Sequence, residues 1–208
     1  MVIIIFIYMK EIIMATSNLH KIDEFQKILN VFDIKIKGLK DLGIESPEEN
    51  GKDFIENSLI KSRYLFEKTG LPSLADDSGF CVESLNDFPG LCSSRFSDAC
   101  GSYEKAFEII SKCINPNNKN ASFKICLSFV YKDKKEQIIE KYFEGEIKGQ
   151  FVYPDRGENR FGYNPVFQPN GYDKTFGELD DDVRLSLNHR RIAVDKFLEY
   201  LKSINSEI

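Results

Sequence analysis

Apolar residues recur along the chain at the spacings of strands and helices. Residues 12–16 form an apolar run of strand length, and a helical spacing over residues 19–29 follows it at once. The same helical spacing predicts further helices over residues 53–68 and 103–114. Residues 121–131 carry an apolar side chain at every second position, which makes them the clearest predicted strand.

The remaining pattern completes an α/β chain. It predicts a second strand within residues 31–38, polar loops over 40–52 and 93–97, and a hairpin with its loop at 132–135 and its returning strand at 137–143. The last helix should bury one face, made of Ala193, Phe197, Leu201 and Ile204. Strands and helices alternate early and a long hairpin comes late, so we expect a mixed α/β fold. A chain of 208 residues can form one large domain or two packed lobes, and we expect one folding unit.

Composition and charge exclude several classes of protein. A hydrophobic fraction of 42% and a charged fraction of 29% are typical of a soluble globular protein. The net charge of −5 argues against general nucleic-acid binding, which relies on clustered Lys and Arg. The five cysteines form no CxxC pair and no zinc spacing with the two histidines. We therefore expect reduced cysteines and a cytoplasmic protein.

The first eight residues are almost all apolar, as in signals and membrane anchors. The run is too short to span a bilayer, has no basic start and lacks a small-residue cleavage site. Met9 and Lys10 then form a second beginning. We therefore expect no membrane association, an extended or misassigned N-terminus at residues 1–8, and a single domain over residues 9–208.

Residues 74–82 place charge where packing alone would favour none. Two short apolar runs are interrupted by four residues: Asp76, Asp77, Ser78 and Gly79. The motif alone favours a surface turn, because Asp-Ser-Gly is ordinary turn chemistry. The alternative is a divalent cation held by carboxylate oxygens at a strand end, with one carboxylate placed to accept a proton from water.

Candidate phosphate contacts occur on two predicted helices. Thr16, Ser17 and Asn18 precede the first helix, where hydroxyl, amide and backbone N–H groups together form an anion site. Lys21 adds a full positive charge in the first turn, and simple N-capping by Ser17 or Asn18 is the alternative. Lys61 on the second helix is a further candidate, with a solvated helix lysine as the alternative.

Residues 161–167 offer a platform for a flat ring. Phe161 and Tyr163 flank Gly162, and Asn164 and a proline follow. Core packing would use the same aromatic residues equally well. The sequence has no P-loop and no GxGxxG motif, so the common nucleotide-binding folds are not supported.

The combination of short motifs is more restrictive than any one of them. In chain order the motifs are Thr16-Ser17-Asn18-Leu19-His20-Lys21, Glu48-Glu49-Asn50-Gly51, Phe54-Ile55-Glu56-Asn57, Ala75-Asp76-Asp77-Ser78-Gly79, Pro89-Gly90, Ser94-Arg95-Phe96, Phe161-Gly162-Tyr163 and Asn188-His189-Arg190. Their order and spacing closely resemble the Ham1 family of inosine triphosphate pyrophosphatases, which act on non-standard purine nucleotides. The resemblance runs from about Lys10 to the C-terminus.

The resemblance implies a fold and an activity. The implied fold is an elongated mixed β-sheet with flanking helices that form two lobes around a central cleft, related to the Maf fold and usually found as a homodimer. The implied activity is Mg²⁺-dependent hydrolysis of ITP, dITP and XTP to the nucleoside monophosphate and pyrophosphate. The expected partners are therefore a purine nucleoside triphosphate and a second copy of the chain, with no nucleic acid and no membrane.

The resemblance also implies roles for particular residues. The triphosphate would be held by polar and basic side chains, namely Thr16, Ser17, Asn18, Lys21 and Lys61. Glu49 and Asp77 would bind Mg²⁺, with Asp77 also the proton acceptor, and Ser78 would contact the substrate. The base pocket would be lined by Phe161, Gly162, Tyr163, Asn164, His189 and Arg190.

Three positions depart from the family pattern. Asn164 stands where Asp is general, Arg184 where Lys is common in the substrate site, and Asn188 where Ser usually precedes His-Arg. Arg184 keeps the charge, although a planar guanidinium is not equivalent to an ammonium group. Asn164 lacks one charge, which changes the expected pocket locally.

Three other interpretations stay open at this point. A Maf-like nucleotide pyrophosphatase would share the fold but prefer other bases, and the His189-Arg190 pair argues against it. A catalytically silent protein would bind the triphosphate without turning it over. A structural or interaction domain would carry the acidic stretch incidentally, and no triphosphate would raise its melting temperature.

Overall fold

The computed structural model describes residues 11–30 and 34–204. Within them the strands are β1 (Glu11–Met14), β2 (Lys35–Gly38), β3 (Ser73–Val82), β4 (Phe88–Pro89), β5 (Asn120–Lys132), β6 (Ile138–Phe151) and β7 (Phe167–Pro169). The helices are α1 (Leu19–Leu29), α2 (Leu39–Leu42), α3 (Phe54–Thr69), α4 (Ser93–Cys100), α5 (Tyr103–Cys113), α6 (Asp181–Leu187) and α7 (His189–Ile204). The predicted N-terminal extension, residues 1–8, lies outside the described residues. No described helix is both long enough and apolar enough to cross a membrane.

The strands form one mixed seven-stranded sheet. Its order is β2-β1-β3-β5-β6-β7, and β4 pairs with β3 beside this path. Strand β1 runs parallel to both β2 and β3, with Ile13 opposite Ser73. Strands β4 and β7 are antiparallel to their partners β3 and β6. The prediction of a mixed α/β fold is confirmed, whereas the central cleft stays a prediction.

The chain divides into two compact units. Unit 1 contains the described residues of Met1–Asp77, Cys126–Glu144 and Arg190–Ile208, and unit 2 contains Ser78–Ile125 and Gly145–His189. Their folding as the single domain predicted over residues 9–208 stays a prediction.

Unit 1 has an aliphatic core around β1 and β3. Its buried members include Ile13, Ala15, Leu39, Leu65 and Ala75. Helix α7 of the same unit buries the face that its helical spacing predicted, since Ala193, Phe197, Leu201 and Ile204 are all buried. The aliphatic core packs Leu65 of α3, the helix that carries Lys61, together with residues of β1 and β3.

Unit 2 has a core built mainly from aromatic rings. The buried rings are Phe80, Phe107, Phe123, Phe151, Tyr163, Phe167 and Phe176. Phe80 and Tyr163 stack with ring centroids 4.8 Å apart, and Phe123 meets Phe167 edge to face at 4.9 Å. Such pairs add stability beyond the area they bury.

Two predicted loops contain helices instead. The predicted loop 93–97 is the first part of α4, and the predicted loop 40–52 begins within the one-turn helix α2. In α4 the Ser93 hydroxyl accepts from the Phe80 N–H at 2.9 Å and donates to the Gly90 carbonyl at 2.6 Å. Buried serines that satisfy their hydroxyls on nearby backbone need no apolar spacing, so the hydrophobic pattern could not reveal this helix.

All five cysteines are free thiols, as predicted. Cys81 and Cys126 are buried, and burial raises the pKa of each thiol to about 12. These two therefore pack as small apolar side chains.

Two neighbouring residues of α5 test the position of the unit 2 core. Ile110 is 1% exposed and Ile109 is 43% exposed, so the same substitution samples core and surface on one helix. We expect Ile110→Ala to lower the free energy of unfolding by about 2–5 kcal/mol, through lost burial and a residual cavity. Ile109→Ala should cost less than about 1 kcal/mol. Denaturant titration measures both, and equal losses would contradict this assignment of the core.

Candidate active site

Asp76 and Asp77 lie in the middle of the continuous strand β3. The surface turn favoured by the motif alone is therefore wrong, and so is the strand end of its alternative. Successive residues of a strand point to opposite faces, so the two carboxylates face different surroundings. Each carboxylate has a cationic partner, Lys21 for Asp76 and Lys61 for Asp77, which is why the strand can continue through both residues.

Asp76 is bound by the first helix. Its Oδ2 accepts a hydrogen bond from Lys21 Nζ at 2.8 Å, and the residue is 1% exposed. Burial by itself favours the neutral acid, but the positive charges of Lys21, Arg190 and Lys61 outweigh it. The pKa of Asp76 therefore lies below its ordinary value. This carboxylate is a buried fixed anion.

Asp77 is held by helix α3. Asn57 Nδ2 donates to its Oδ2 at 3.1 Å, and Lys61 Nζ lies 3.3 Å from its Oδ1. Burial raises the pKa of Asp77, Lys61 opposes that rise, and the nearby negative charge of Glu49 adds to it. The net pKa of Asp77 lies above its ordinary value. Of the two neighbours, Asp77 is the better proton acceptor.

Lys61 joins two carboxylates from different parts of unit 1. Its Nζ lies 3.1 Å from Glu49 Oε1 and 3.3 Å from Asp77 Oδ1. Lys61 is 4% exposed, so the alternative of a solvated helix lysine is wrong. Burial alone would lower the pKa of Lys61, but the surrounding carboxylates, Asp77 first, hold that pKa above its ordinary value.

Asn57 connects the loop that carries Glu49 to Asp77. Its Oδ1 accepts from the Gly51 N–H at 2.7 Å while its Nδ2 donates to Asp77. A Cβ at Gly51 would lie 2.7 Å from that Oδ1 and 2.8 Å from the Asn57 nitrogen, so only glycine allows the approach. Asn57 has no predicted role in the sequence, and its four-residue spacing from Lys61 is the signal that indicates one.

The residues before α1 serve as a helix cap. Asn18 Oδ1 accepts from the backbone N–H groups of His20 and Lys21 at 3.0 and 3.3 Å, and Thr16 Oγ1 accepts from the Asn18 N–H at 3.2 Å. Ser17 is exposed beside them. The capping alternative is thus observed for Asn18, and contact with a triphosphate stays a prediction for this segment.

Arg190 forms an ion pair inside unit 1. Its Nη1 lies 3.1 Å from Glu24 Oε2, and both side chains are buried. Glu24 had not been singled out in the sequence, because an acidic residue on an amphipathic helix is normally solvated. The pair connects α1 to the first turn of α7.

The predicted ring platform lies in unit 2. Tyr163 is part of the aromatic core, and its hydroxyl donates to the Ser93 carbonyl at 3.0 Å, so core packing is the interpretation observed for this residue. Phe161 is half-buried, and Gly162 has a φ of 56°, a conformation that favours glycine. Asn164 is buried and donates through Nδ2 to Asn159 Oδ1 at 3.1 Å.

The other predicted site residues of unit 2 are mostly buried. Arg184 Nη2 donates to Asp181 Oδ1 at 3.0 Å. The His189 ring stacks on Phe123 with centroids 5.1 Å apart and planes 9° apart. Ser78, half-buried, follows Asp77 on β3. The structure thus gathers Lys21, Glu49, Lys61 and Asp77 around β3 in unit 1, and the roles implied for the unit 2 residues stay predictions.

Comparison with known proteins gives a consistent family. The model of the Ham1 family matches residues 12–200. The chain is similar to a dITP/XTP pyrophosphatase of Haemophilus influenzae, with 38% identity over 197 residues that cover 93% of this chain and 98% of the relative. It is also similar to a dITP/XTP pyrophosphatase of Zymomonas mobilis, with 34% identity over 191 residues and 90% of each chain covered.

The solved structures that resemble this chain are also Ham1 proteins. The Ham1 protein of Staphylococcus aureus superposes with a TM-score of 0.81 at 31% identity, covering 93% of this chain and 98% of that one. A HAM1 protein of Coxiella burnetii superposes with a TM-score of 0.79 at the same identity and coverage.

The pairing of Asp76 with Lys21 can be tested by stability. Asp76→Asn removes the anion and leaves the Lys21 ammonium in a site that is only 19% exposed. We expect the free energy of unfolding to fall by about 3 kcal/mol, the lower end for breaking a buried pair. Asp23→Asn is the matched control, since its pair with Lys27 is on the surface and should contribute little. Equal effects of the two variants in denaturant titration would show that the buried pair contributes no more to the free energy of unfolding than the surface pair.

Proposed function

The chain belongs to the Ham1 family, and on this premise we propose that it hydrolyses non-canonical purine nucleoside triphosphates, ITP, dITP and XTP, to the nucleoside monophosphate and pyrophosphate. The observation that carries the proposal is the convergence of Glu49 and Asp77 on Lys61, in a chain whose relatives are dITP/XTP pyrophosphatases. The Maf-like alternative is not favoured by these relatives. A homodimer and a cytoplasmic location are part of the same proposal.

Glu49 and Asp77 fit a divalent ion that is shared with the substrate. Two carboxylate oxygens within 3.3 Å of one nitrogen face a common point, and they are hard ligands. The described residues contain no group of three or more His, Cys, Asp and Glu side chains able to hold a metal. Mg²⁺ is commonly bound by one or two carboxylates together with substrate phosphates, so this donor set suits it. When bound, Mg²⁺ would neutralise charge on the phosphate oxygens.

Asp77 is the proposed proton acceptor. In the reaction, water attacks a phosphorus atom, the bond between the α- and β-phosphates breaks, and a proton must leave the attacking water. Asp77 can take that proton because its pKa is raised and because Asn57 fixes its orientation. Asp76 keeps its charge and holds Lys21, so the two neighbours have different tasks.

Lys21 and Lys61 are the proposed phosphate contacts. Pyrophosphate is a strongly charged leaving group, and ammonium groups near it stabilise the charge that develops. Thr16, Ser17 and Asn18 would add hydroxyl and amide contacts, and Ser78 a further one. His189, Arg184 and residues 161–164 are proposed to contact the nucleoside.

A pyrophosphate-release assay tests the function directly. The full chain is incubated with Mg²⁺ and separately with ITP, dITP, XTP, GTP and ATP. We expect release from the first three to exceed that from GTP and ATP. Binding of ITP that raises the melting temperature without any pyrophosphate release would instead support a silent nucleotide-binding protein.

Asp77→Asn tests the proposed base. The substitution keeps the shape of the side chain but removes an anionic ligand and the proton acceptor. We expect turnover of ITP to fall by roughly 10² to 10⁴ at saturating Mg²⁺, while the fold is retained. Asp98→Asn makes the same chemical change at an exposed site on α4 and should leave turnover unchanged. Near-normal turnover in Asp77→Asn would move the role to Asp76 or Glu49.

Arg190→Ala tests recognition of the base. Arginine has only donors, so it can satisfy the six-position oxygen of hypoxanthine or xanthine but meets the amino group of adenine donor to donor. We expect kcat/KM to fall much more for ITP than for ATP. An equal fall would mean that Arg190 acts only through structure.

Glu24→Gln is the control for that structural role. It removes the ion-pair partner of Arg190 and keeps the guanidinium. If Arg190 recognises the base, Glu24→Gln should lower stability without narrowing the ratio of kcat/KM for ITP and ATP. The melting temperatures of both variants show whether the kinetics refer to folded protein.

A further inference from the structure

Lys61 binds the same two carboxylates that the proposed function assigns to the divalent ion. Its Nζ lies 3.1 Å from Glu49 Oε1 and 3.3 Å from Asp77 Oδ1. Resting on that proposed function, we propose that Lys61 is an internal counter-cation. Its ammonium competes with the divalent ion for Glu49 and Asp77, and triphosphate binding relieves the competition by offering the ammonium phosphate oxygens instead.

The competition follows from charge and distance. An ion that contacted both carboxylate oxygens would lie within a few ångströms of the ammonium, and like charges at that separation repel strongly where water is largely excluded. The Lys61 side chain is 5% exposed and that of Asp77 is 10% exposed, so solvent screens this repulsion little. The divalent ion and the ammonium cannot both keep these contacts at full strength.

The two carboxylates bound by Lys61, those of Asp77 and Glu49, differ in their freedom to move. Asp77 is fixed on β3 and receives a hydrogen bond from Asn57, whereas the Glu49 side chain is 40% exposed on a loop. Lys61 has a flexible four-carbon stem rooted on α3, so its ammonium can move without moving the helix. Exchange therefore requires only side-chain motion of Lys61 and Glu49.

The consequence is coupled binding of the ion and the phosphates. The protein alone should bind a divalent ion weakly, because the ion must displace an ammonium that both carboxylates already hold. A polyphosphate supplies such an acceptor and so raises the affinity for the ion beyond what direct contacts between metal and phosphate give. Lys61 is thus a positioning residue for the ion as well as a phosphate contact.

A purely structural lysine makes the opposite prediction. If Lys61 only holds the Glu49 loop against β3, removing its charge separates the carboxylates and weakens metal binding. If Lys61 competes with the ion, removing its charge strengthens metal binding. The sign of the change distinguishes the two roles.

Binding of Mn²⁺ to the full chain provides the measurement, by calorimetry and by the electron paramagnetic resonance signal of free Mn²⁺, at constant ionic strength. Lys61→Met keeps the apolar stem and removes the charge. We expect it to bind Mn²⁺ alone at least about tenfold more tightly than the wild type. We also expect the gain in Mn²⁺ affinity on adding inorganic tripolyphosphate to shrink by a similar factor.

Lys68→Met is the matched control. Lys68 is on the same helix, is exposed, and lies over the Tyr64 ring with its Nζ 5.4 Å from the centroid. Its substitution should leave Mn²⁺ affinity equal to that of the wild type. If Lys61→Met fails to fold, Lys61→Gln replaces it, because the amide keeps hydrogen-bond donors for the carboxylates and carries no charge.

Equal or weaker Mn²⁺ binding in the folded Lys61 variant would overturn the inference. Pyrophosphate release by the wild type separates this from a failure of the proposed function. Normal release from ITP together with unchanged Mn²⁺ affinity would overturn the counter-cation role alone. If no purine triphosphate released pyrophosphate, the proposed function would be overturned. The role of Lys61 in the reaction would then be overturned as well.

Discussion

Asp76 and Asp77 are neighbours on a buried strand, and burying adjacent carboxylates is costly unless each has its own cation. Unit 1 meets this constraint by supplying a lysine to each carboxylate from a different helix. Helix α1 supplies Lys21 to Asp76, and α3 supplies Lys61 to Asp77. The result is two carboxylates whose pKa values are displaced in opposite directions, one below and one above the ordinary range. Such divergence between neighbours is how one strand can provide both a fixed charge and a proton acceptor.

Unit 2 holds the residues that are proposed to contact the nucleoside against an aromatic core. Tyr163 and His189 stack on Phe80 and Phe123, which belong to one aromatic core. Flat rings with few rotatable bonds lose little entropy when they are fixed. The Tyr163 ring therefore fixes the segment 161–164 to the aromatic core, and Phe161 and Gly162 precede it directly in the chain.

The sequence predicted the regular part of this fold better than the local geometry around Asp76 and Asp77. Apolar spacing found α1, α3 and α5 because each buries one face in a core, and it found β1 and β5 because these strands are rich in apolar residues that are buried on both faces. Spacing could not find α4, whose inward residues are serines, nor the continuity of β3, where compensation for Asp76 and Asp77 comes from distant helices. The Ham1 resemblance was confirmed by the family match over residues 12–200. Glu24 and Asn57 were missed because their importance lies in partners far along the chain.

Gly51 shows how little freedom one position of this chain has. Its N–H donates to Asn57 Oδ1 at 2.7 Å, and there is no room for a single methyl group beside that amide. Randomising the loop codons would thus give an uneven outcome. Glu45 and Asn50 are exposed and should accept many residue types, whereas functional clones should return glycine alone at position 51. Exposed positions of the loop that bears Glu49 can vary in sequence, but its contact with Asn57 of α3 is fixed by volume at Gly51.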